Sequence, residues 1–158
     1  MRRFYCFAAL LFVASLASPA VAQQRYPSSA GELAVETVAS GLENPWGLAF
    51  LPDGRMLVTE RPGRMRLVGS DGKLSGPISV PNVVARGQGG LLDVVLDPNF
   101  TQNRSIYLSF AEPRANGNGT SVARARLSAN GTALESLTVI FRQMPTIASN
   151  MHFGSRLV

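Results

Sequence analysis

Apolar and polar positions alternate in short stretches from Glu32 onward, and turn residues keep cutting the alternation. "LAVETVASGL" alternates Leu33, Val35 and Thr37, with Val38 following. "WGLAFLPDGRMLVTER" places two apolar runs on either side of Pro52-Asp53-Gly54, which predicts a hairpin. Pro pre-sets φ there, Asp tolerates the tight conformation, and Gly supplies positive φ without steric cost. "GRMRLVGSDGKL" repeats the device at Asp71-Gly72. "SIYLSF", "SVARARL" and "LTVIF" read as further strands, separated by turns at residues 116–119 and at Asn130-Gly131. In "VARARL", Val122, Ala123, Ala125 and Leu127 oppose Arg124 and Arg126, so one face is dry and one wet. Helical spacing appears only in short pieces cut by Gly or Pro, and no helix is predicted. The expectation is an all-β chain of short antiparallel strands.

The pattern also repeats. "GLAFLPDGRMLVTE" and "DVVLDPNFTQNRSIYLSF" each run from an apolar strand through a Pro-containing turn into a second apolar strand, with Pro52 and Pro98 46 residues apart. "GSRLV" at the end looks like a third copy of the first strand. A period of roughly 40 to 50 residues built from four short strands is what a β-propeller blade gives. Periodicity alone leaves a β-sandwich equally open.

The first 22 residues break this pattern. Arg2 and Arg3, the apolar run "FYCFAALLFVASL" and Ala20-Val21-Ala22 before Gln23 are the three parts of a secretory signal peptide. A membrane anchor would need about 20 apolar residues. We therefore expect a signal peptide at 1–22, a loose polar leader at 23–31 and a periplasmic or secreted product. Cleavage removes Cys6, the single cysteine, so the mature chain has no disulfide or thiolate metal site. It also removes two of the 15 basic residues, leaving 13 against 10 acidic and a net charge of +3. The remaining arginines are scattered among strand-like residues, which argues against a nucleic-acid partner.

Few residues are candidates for chemistry. His152, the single histidine, follows an irregular stretch at 145–150 and precedes strand-like sequence. Loops on a rigid scaffold are where function concentrates, and imidazole is the natural general base near neutral pH. The competing reading is an ordinary surface histidine. Gln88 lies in "RGQGGLL", where the glycines allow close backbone approach to a ligand or only a tight connection; no phosphate-loop signature follows. Trp46 after Pro45 could offer an aromatic platform, but packing between blades is the expectation. Asp93 and Asp97 would stand about 13 Å apart along a strand, too far to share an ion or to act as a retaining glycosidase pair. Asp97-Pro98 reads instead as a turn cap. Sequons at Asn99, Asn103, Asn118 and Asn130 fit turns and imply nothing more.

Four blocks in order, "GLENPWGLAFLPDGRMLVTERPGRMRLV", "GQGGLLDVVLDPNF", "IYLSF" and "HFGSRLV", resemble the N-terminal part of the soluble pyrroloquinoline quinone (PQQ)-dependent aldose sugar dehydrogenases, the glucose/sorbosone dehydrogenase family. They run from about Val35 to Val158. The resemblance implies a six-bladed β-propeller, of which residues 32–158 supply about two blades and the start of a third. It implies oxidation of an aldose at its anomeric carbon to a lactone, with PQQ taking the hydride and calcium helping to hold PQQ. By motif, His152 matches the general base and Gln88 a glutamine that contacts the sugar. Arg156 is expected to be structural, on a strand beneath the site. Met151 stands where many relatives have a polar or acidic residue, which bears on substrate preference. No metal ligand is expected in this chain, and the PQQ and calcium ligands are expected beyond Val158. An unidentified electron acceptor is the expected partner, and a homodimer stays open.

Two rivals share the fold. A calcium-dependent propeller lactonase or esterase would activate water on its metal. A non-catalytic propeller would bind a partner through its top loops. Two blades and part of a third would leave open sheet edges, so this chain by itself is expected to fold poorly and to lack activity.

Overall fold

Near the start of the described residues the chain turns back on itself. β1 (Gln24–Ser28) pairs antiparallel with β2 (Gly31–Val35). The Ser28 hydroxyl donates to the Gly31 carbonyl at 2.7 Å and accepts the Ala30 N–H at 3.2 Å. The segment expected as a loose leader is thus a hairpin, although every one of its residues is exposed. Short Ser and Gly residues close the turn that composition alone marked as loose. The computed structural model describes residues 24–80 and 82–158, so the signal peptide expected at 1–22 lies outside the described residues. The hairpin belongs to a unit ending at Thr37, and residues 38–158 form a second unit.

That second unit is built from two four-stranded antiparallel sheets, each a meander of consecutive strands. The first contains β3 (Pro45–Phe50), β4 (Met56–Glu60), β5 (Arg64–Val68) and β6 (Ile78–Ser79). The second contains β7 (Leu91–Leu96), β8 (Ser105–Arg114), β9 (Gly117–Leu127) and β10 (Leu134–Arg142). No strand crosses from one sheet to the other, whereas Greek-key sandwiches exchange strands between sheets. These are two successive propeller blades. The 46-residue repeat is kept in fine detail: a register shift falls between Pro45 and Leu48 in β3 and between Leu91 and Val94 in β7.

The turns follow their chemistry. Across Pro52-Asp53-Gly54, Leu51 N–H donates to Arg55 O at 2.8 Å and Gly54 N–H to Leu51 O at 3.0 Å. One helical turn, α1 (Phe100–Asn103), occupies the matching turn of the second blade, where no helix was expected. Asp97 organises it, accepting from Asn99 N–H, Asn103 Nδ2 and the Tyr107 hydroxyl, each at 2.9 Å. These bonds hold its carboxyl below the usual carboxylate range, that from Asn103 most strongly. One turn is too short to show helical periodicity.

β3 and β7 pack face to face, and Gly47 makes that possible. A Cβ there would sit 2.9 Å from the Leu92 carbonyl oxygen and 3.1 Å from Asp93 Cα. Leu57, Met65, Leu91, Ile106, Leu108 and Phe110 share one buried cluster across the two sheets. Each such side chain contributes about 1.5–3 kcal/mol by leaving water. On β9, Ala123, Ala125 and Leu127 are buried while Arg124 and Arg126 are exposed, as expected; Val122, expected on the dry face, is half-buried, because the period of two puts it on the arginine side.

A hydroxyl stitch recurs between successive repeats. The Thr59 hydroxyl on β4 accepts Gly47 N–H at 2.8 Å and donates to Leu92 O at 2.5 Å. The Ser109 hydroxyl on β8 accepts Asp93 N–H at 2.9 Å and donates to Ser155 O at 2.8 Å. Ser155 therefore occupies in the third copy the place that Leu92 holds in the second. The third copy is not a strand here, contrary to the strand expected for "GSRLV". Its backbone bonds go to side chains rather than to a neighbouring strand: Leu157 N–H donates to Asp93 Oδ2 at 2.8 Å.

Candidate functional site

Three connections meet at one end of the β3–β7 packing: the start of β3, the β4–β5 turn and the loop before β7. The segment after Asn150 closes over them. Together they form a cavity of about 440 Å³ lined by Trp46, Arg61, Gly87, Gln88, Leu92, His152, Phe153 and Gly154. His152 and Gln88, 64 positions apart in sequence, share it.

They are also bonded. The Gln88 side-chain carbonyl accepts the backbone N–H of His152 at 2.8 Å, and Gln88 N–H donates to Asn150 O at 2.8 Å. An N–H must meet oxygen, so the amide orientation of Gln88 is fixed and its Nε2 end is left for other partners. Gly87, at φ +55°, lies directly against the Asn150 carbonyl, where any Cβ would collide. His152 itself has φ +64°, a left-handed conformation that costs a residue with a Cβ roughly 1–2 kcal/mol.

Flanking bonds hold this shape. Phe153 is buried against Leu92 and Ala111, and its carbonyl accepts the Thr120 hydroxyl at 2.6 Å. The imidazole is exposed to the cavity, with its backbone pinned on both sides.

Two residues stand differently from their sequence readings. Trp46, expected to pack as core, is 42% exposed and lines the cavity beside Gln88 and His152. The alternation of β3 turns Gly47 towards β7 and Trp46 away from it. Arg156 is on no strand, and its side chain is 78% exposed. Its ion pair is a loose 3.7 Å contact to Asp93. Asp93 carries the support expected of Arg156. Its carboxylate is almost fully buried and accepts both Val94 N–H and Leu157 N–H. A lone acid inside "LLDVVL" was the available signal, since a buried charge needs partners. Arg61 was missed because nothing in the sequence separates it from its neighbours in "TERPGR".

Among the described residues, no group of three or more His, Cys, Asp or Glu side chains is placed to hold a metal. None of the described helices is long and apolar enough to cross a membrane. Among the lining residues the one arginine, Arg61, directs its guanidinium at the carbonyls of Gly87 and Gly89. With that guanidinium engaged, the lining presents no free guanidinium or ammonium for the carboxylates of PQQ.

The sequence profile of the Glucose / Sorbosone dehydrogenase family matches residues 42–158. The chain belongs to this family. Among relatives of this glucose/sorbosone dehydrogenase chain, the aldose sugar dehydrogenase YliI of Escherichia coli (strain K12) is 48% identical over 127 residues, covering 78% of this chain and 34% of that protein. The apo-form crystal structure of the soluble aldose sugar dehydrogenase from Escherichia coli superposes with a TM-score of 0.75 at 45% identity, covering 78% of this chain and 36% of that one. The PQQ-bound aldose sugar dehydrogenase from Streptomyces coelicolor gives 0.67 at 29% identity, covering 88% and 39%. The chain spans about a third of the length of the curated relatives it matches.

Proposed function

We propose that the protein oxidises aldose sugars at the anomeric carbon to the lactone, with PQQ as hydride acceptor. The observation that carries this reading is the His152–Gln88 bond at the cavity, in a chain whose family and relatives are sugar dehydrogenases.

His152 is the general base in this reading. Its imidazole takes the proton of the C1 hydroxyl as the C1–O bond becomes a carbonyl. PQQ, when bound, supplies the two-electron acceptor for the hydride that leaves C1. Gln88 has one free end, Nε2, which donates to a sugar oxygen and orients C1 towards the base. The open face of Trp46 covers the apolar side of the sugar ring. Held in this way, a reacting group gains from pre-set orientation rather than from new contacts. Calcium and the groups that bind PQQ come from outside these residues. Export to the periplasm fits the expected signal peptide.

The test is reconstitution of the complete gene product with PQQ and calcium, following dye reduction with several aldoses. Reduction that requires PQQ and disappears in His152→Ala supports the dehydrogenase. Cleavage of lactones or esters without PQQ would replace it with the hydrolase, and neither activity would leave a binding protein.

A further inference from the structure

Arg61 makes more bonds to the Gln88 loop than any other side chain in the cavity. Its Nε donates to Gly89 O at 3.1 Å and its Nη2 to the same oxygen at 3.0 Å. Nη2 also donates to Gly87 O. The two carbonyls flank Gln88 on either side. The Arg61 backbone joins in, with its carbonyl accepting Leu91 N–H at 3.1 Å and its own N–H donating to Asn44 O at 3.1 Å. Gly90, at φ +136°, packs so closely on this backbone that no side chain fits there.

We propose that Arg61 is a positioning residue of the sugar site: its guanidinium fixes the 87–89 loop, the loop fixes Gln88, and Gln88 fixes the backbone of His152. The proposal rests on the dehydrogenase reading for its catalytic consequence, but the coupling from Arg61 to His152 can be measured separately.

The geometry favours arginine specifically. Gly87 O and Gly89 O lie apart on one loop, and a planar fork reaches both at once; a lysine ammonium is a single point on a flexible stem. The guanidinium bonds carbonyls and has no carboxylate among these partners, so it acts through direction rather than by neutralising an acid. The left-handed backbone of His152 depends on this support, because the Gln88 carbonyl caps its N–H.

The experiment compares the complete gene product with Arg61→Lys and Arg61→Ala. Hydrogen exchange is read on peptides containing Gln88 and His152, and on Leu57 and Leu108 as core controls. Expected is at least tenfold faster exchange at both site peptides in Arg61→Ala, with unchanged core protection. Arg61→Lys should fall between, and millimolar guanidinium should partly restore Arg61→Ala. In the PQQ-loaded protein kcat should drop on the order of 10- to 100-fold, as for other groups that orient a reacting residue. Unchanged exchange at 88 and 152, or faster exchange that includes the core to the same degree, would overturn the proposal. Should the parent protein oxidise no aldose while the two site peptides respond as described, the positioning role stands and only the dehydrogenase reading fails.

Discussion

The Gln88 side-chain carbonyl accepts the His152 backbone N–H at 2.8 Å, so the amide fixes the chain that carries the imidazole, not the ring. Gln88→Ala removes the acceptor from a left-handed residue and frees space beside the ring. We predict a kcat reduced on the order of 10- to 100-fold and a raised KM for the sugar. Gln88→Glu keeps an oxygen but loses the Nε2 donor, and should retain His152 amide protection while still losing activity. Steady-state kinetics together with hydrogen exchange checks both variants.

His152 at φ +64° sets stability against function. Replacement by Gly removes the Cβ penalty, and replacement by Ala keeps it. His152→Gly should be more stable than His152→Ala by about 1 kcal/mol, with both inactive. Parallel denaturant melts measure the difference, and equal stabilities would contradict the conformational argument.

Glu60 gives a pH prediction. Its carboxylate is fully buried at the end of β4. Burial alone would raise its pKa, but the hydrogen bond from Arg64, that from Glu43 N–H, and the charges of Arg64 and Arg66 outweigh it and hold the group below its ordinary 4.5. A carboxyl depressed in the folded state stabilises the fold above its unfolded pKa, and that stability is lost as pH falls through the lower folded value. Stability should therefore fall with acidification below pH 4.5 in the native protein. Glu60→Gln should be less stable at neutral pH by about 1.5–3 kcal/mol, the loss of hydrogen bonds to a charged group, although Arg64 keeps Glu43 and Arg66 keeps Ser75 O. Its acid limb should also be flatter. Thermal melts between neutral and acidic pH read both.

The blade contact at Gly47 is the fourth target. With the Leu92 carbonyl 2.9 Å from a Cβ there, Gly47→Ala must push β3 from β7. A loss of about 1–3 kcal/mol is expected from overpacking, and Gly47→Val should not fold. Soluble yield and melting temperature report this.

Much of the architecture was legible in sequence because strands announce themselves by period and turns by residue type. Pro52-Asp53-Gly54 and the alternation of "ARARL" carried over, and the 46-residue repeat reappeared in the position of the register shifts. The His152–Gln88 pairing came from motif resemblance, and no local rule places those two residues together. Other readings went astray for physical reasons. The first strand of the 24–35 hairpin was hidden in a polar, turn-rich leader: it is held by short-range Ser and Gly bonds on a fully exposed ribbon, and only its partner strand, with Leu33 and Val35, alternates visibly. Trp46 was assigned by its size, yet the face it occupies is set by the register of β3. Arg156 was read as the strand residue beneath the site, but a long guanidinium reaches for water, and the buried Asp93 carboxylate collects the backbone N–H groups instead.

The hydroxyls of Thr59 and Ser109, on the second strand of each sheet, tie β3 to β7 and β7 to the segment at Ser155, next to the cavity-lining Leu92 and Gly154. Insertions and deletions should accordingly be tolerated very unevenly along the chain. One residue added near Gly72 or Asn130 lengthens an outer turn and leaves both stitches in register. One residue added between Pro45 and Gly47 shifts the Thr59 bond to Gly47, and one added between Leu91 and Asp93 shifts the stitches to Leu92 and Asp93, and each turns its own strand over. The count of residues matters at the stitched strands and not at the outer turns.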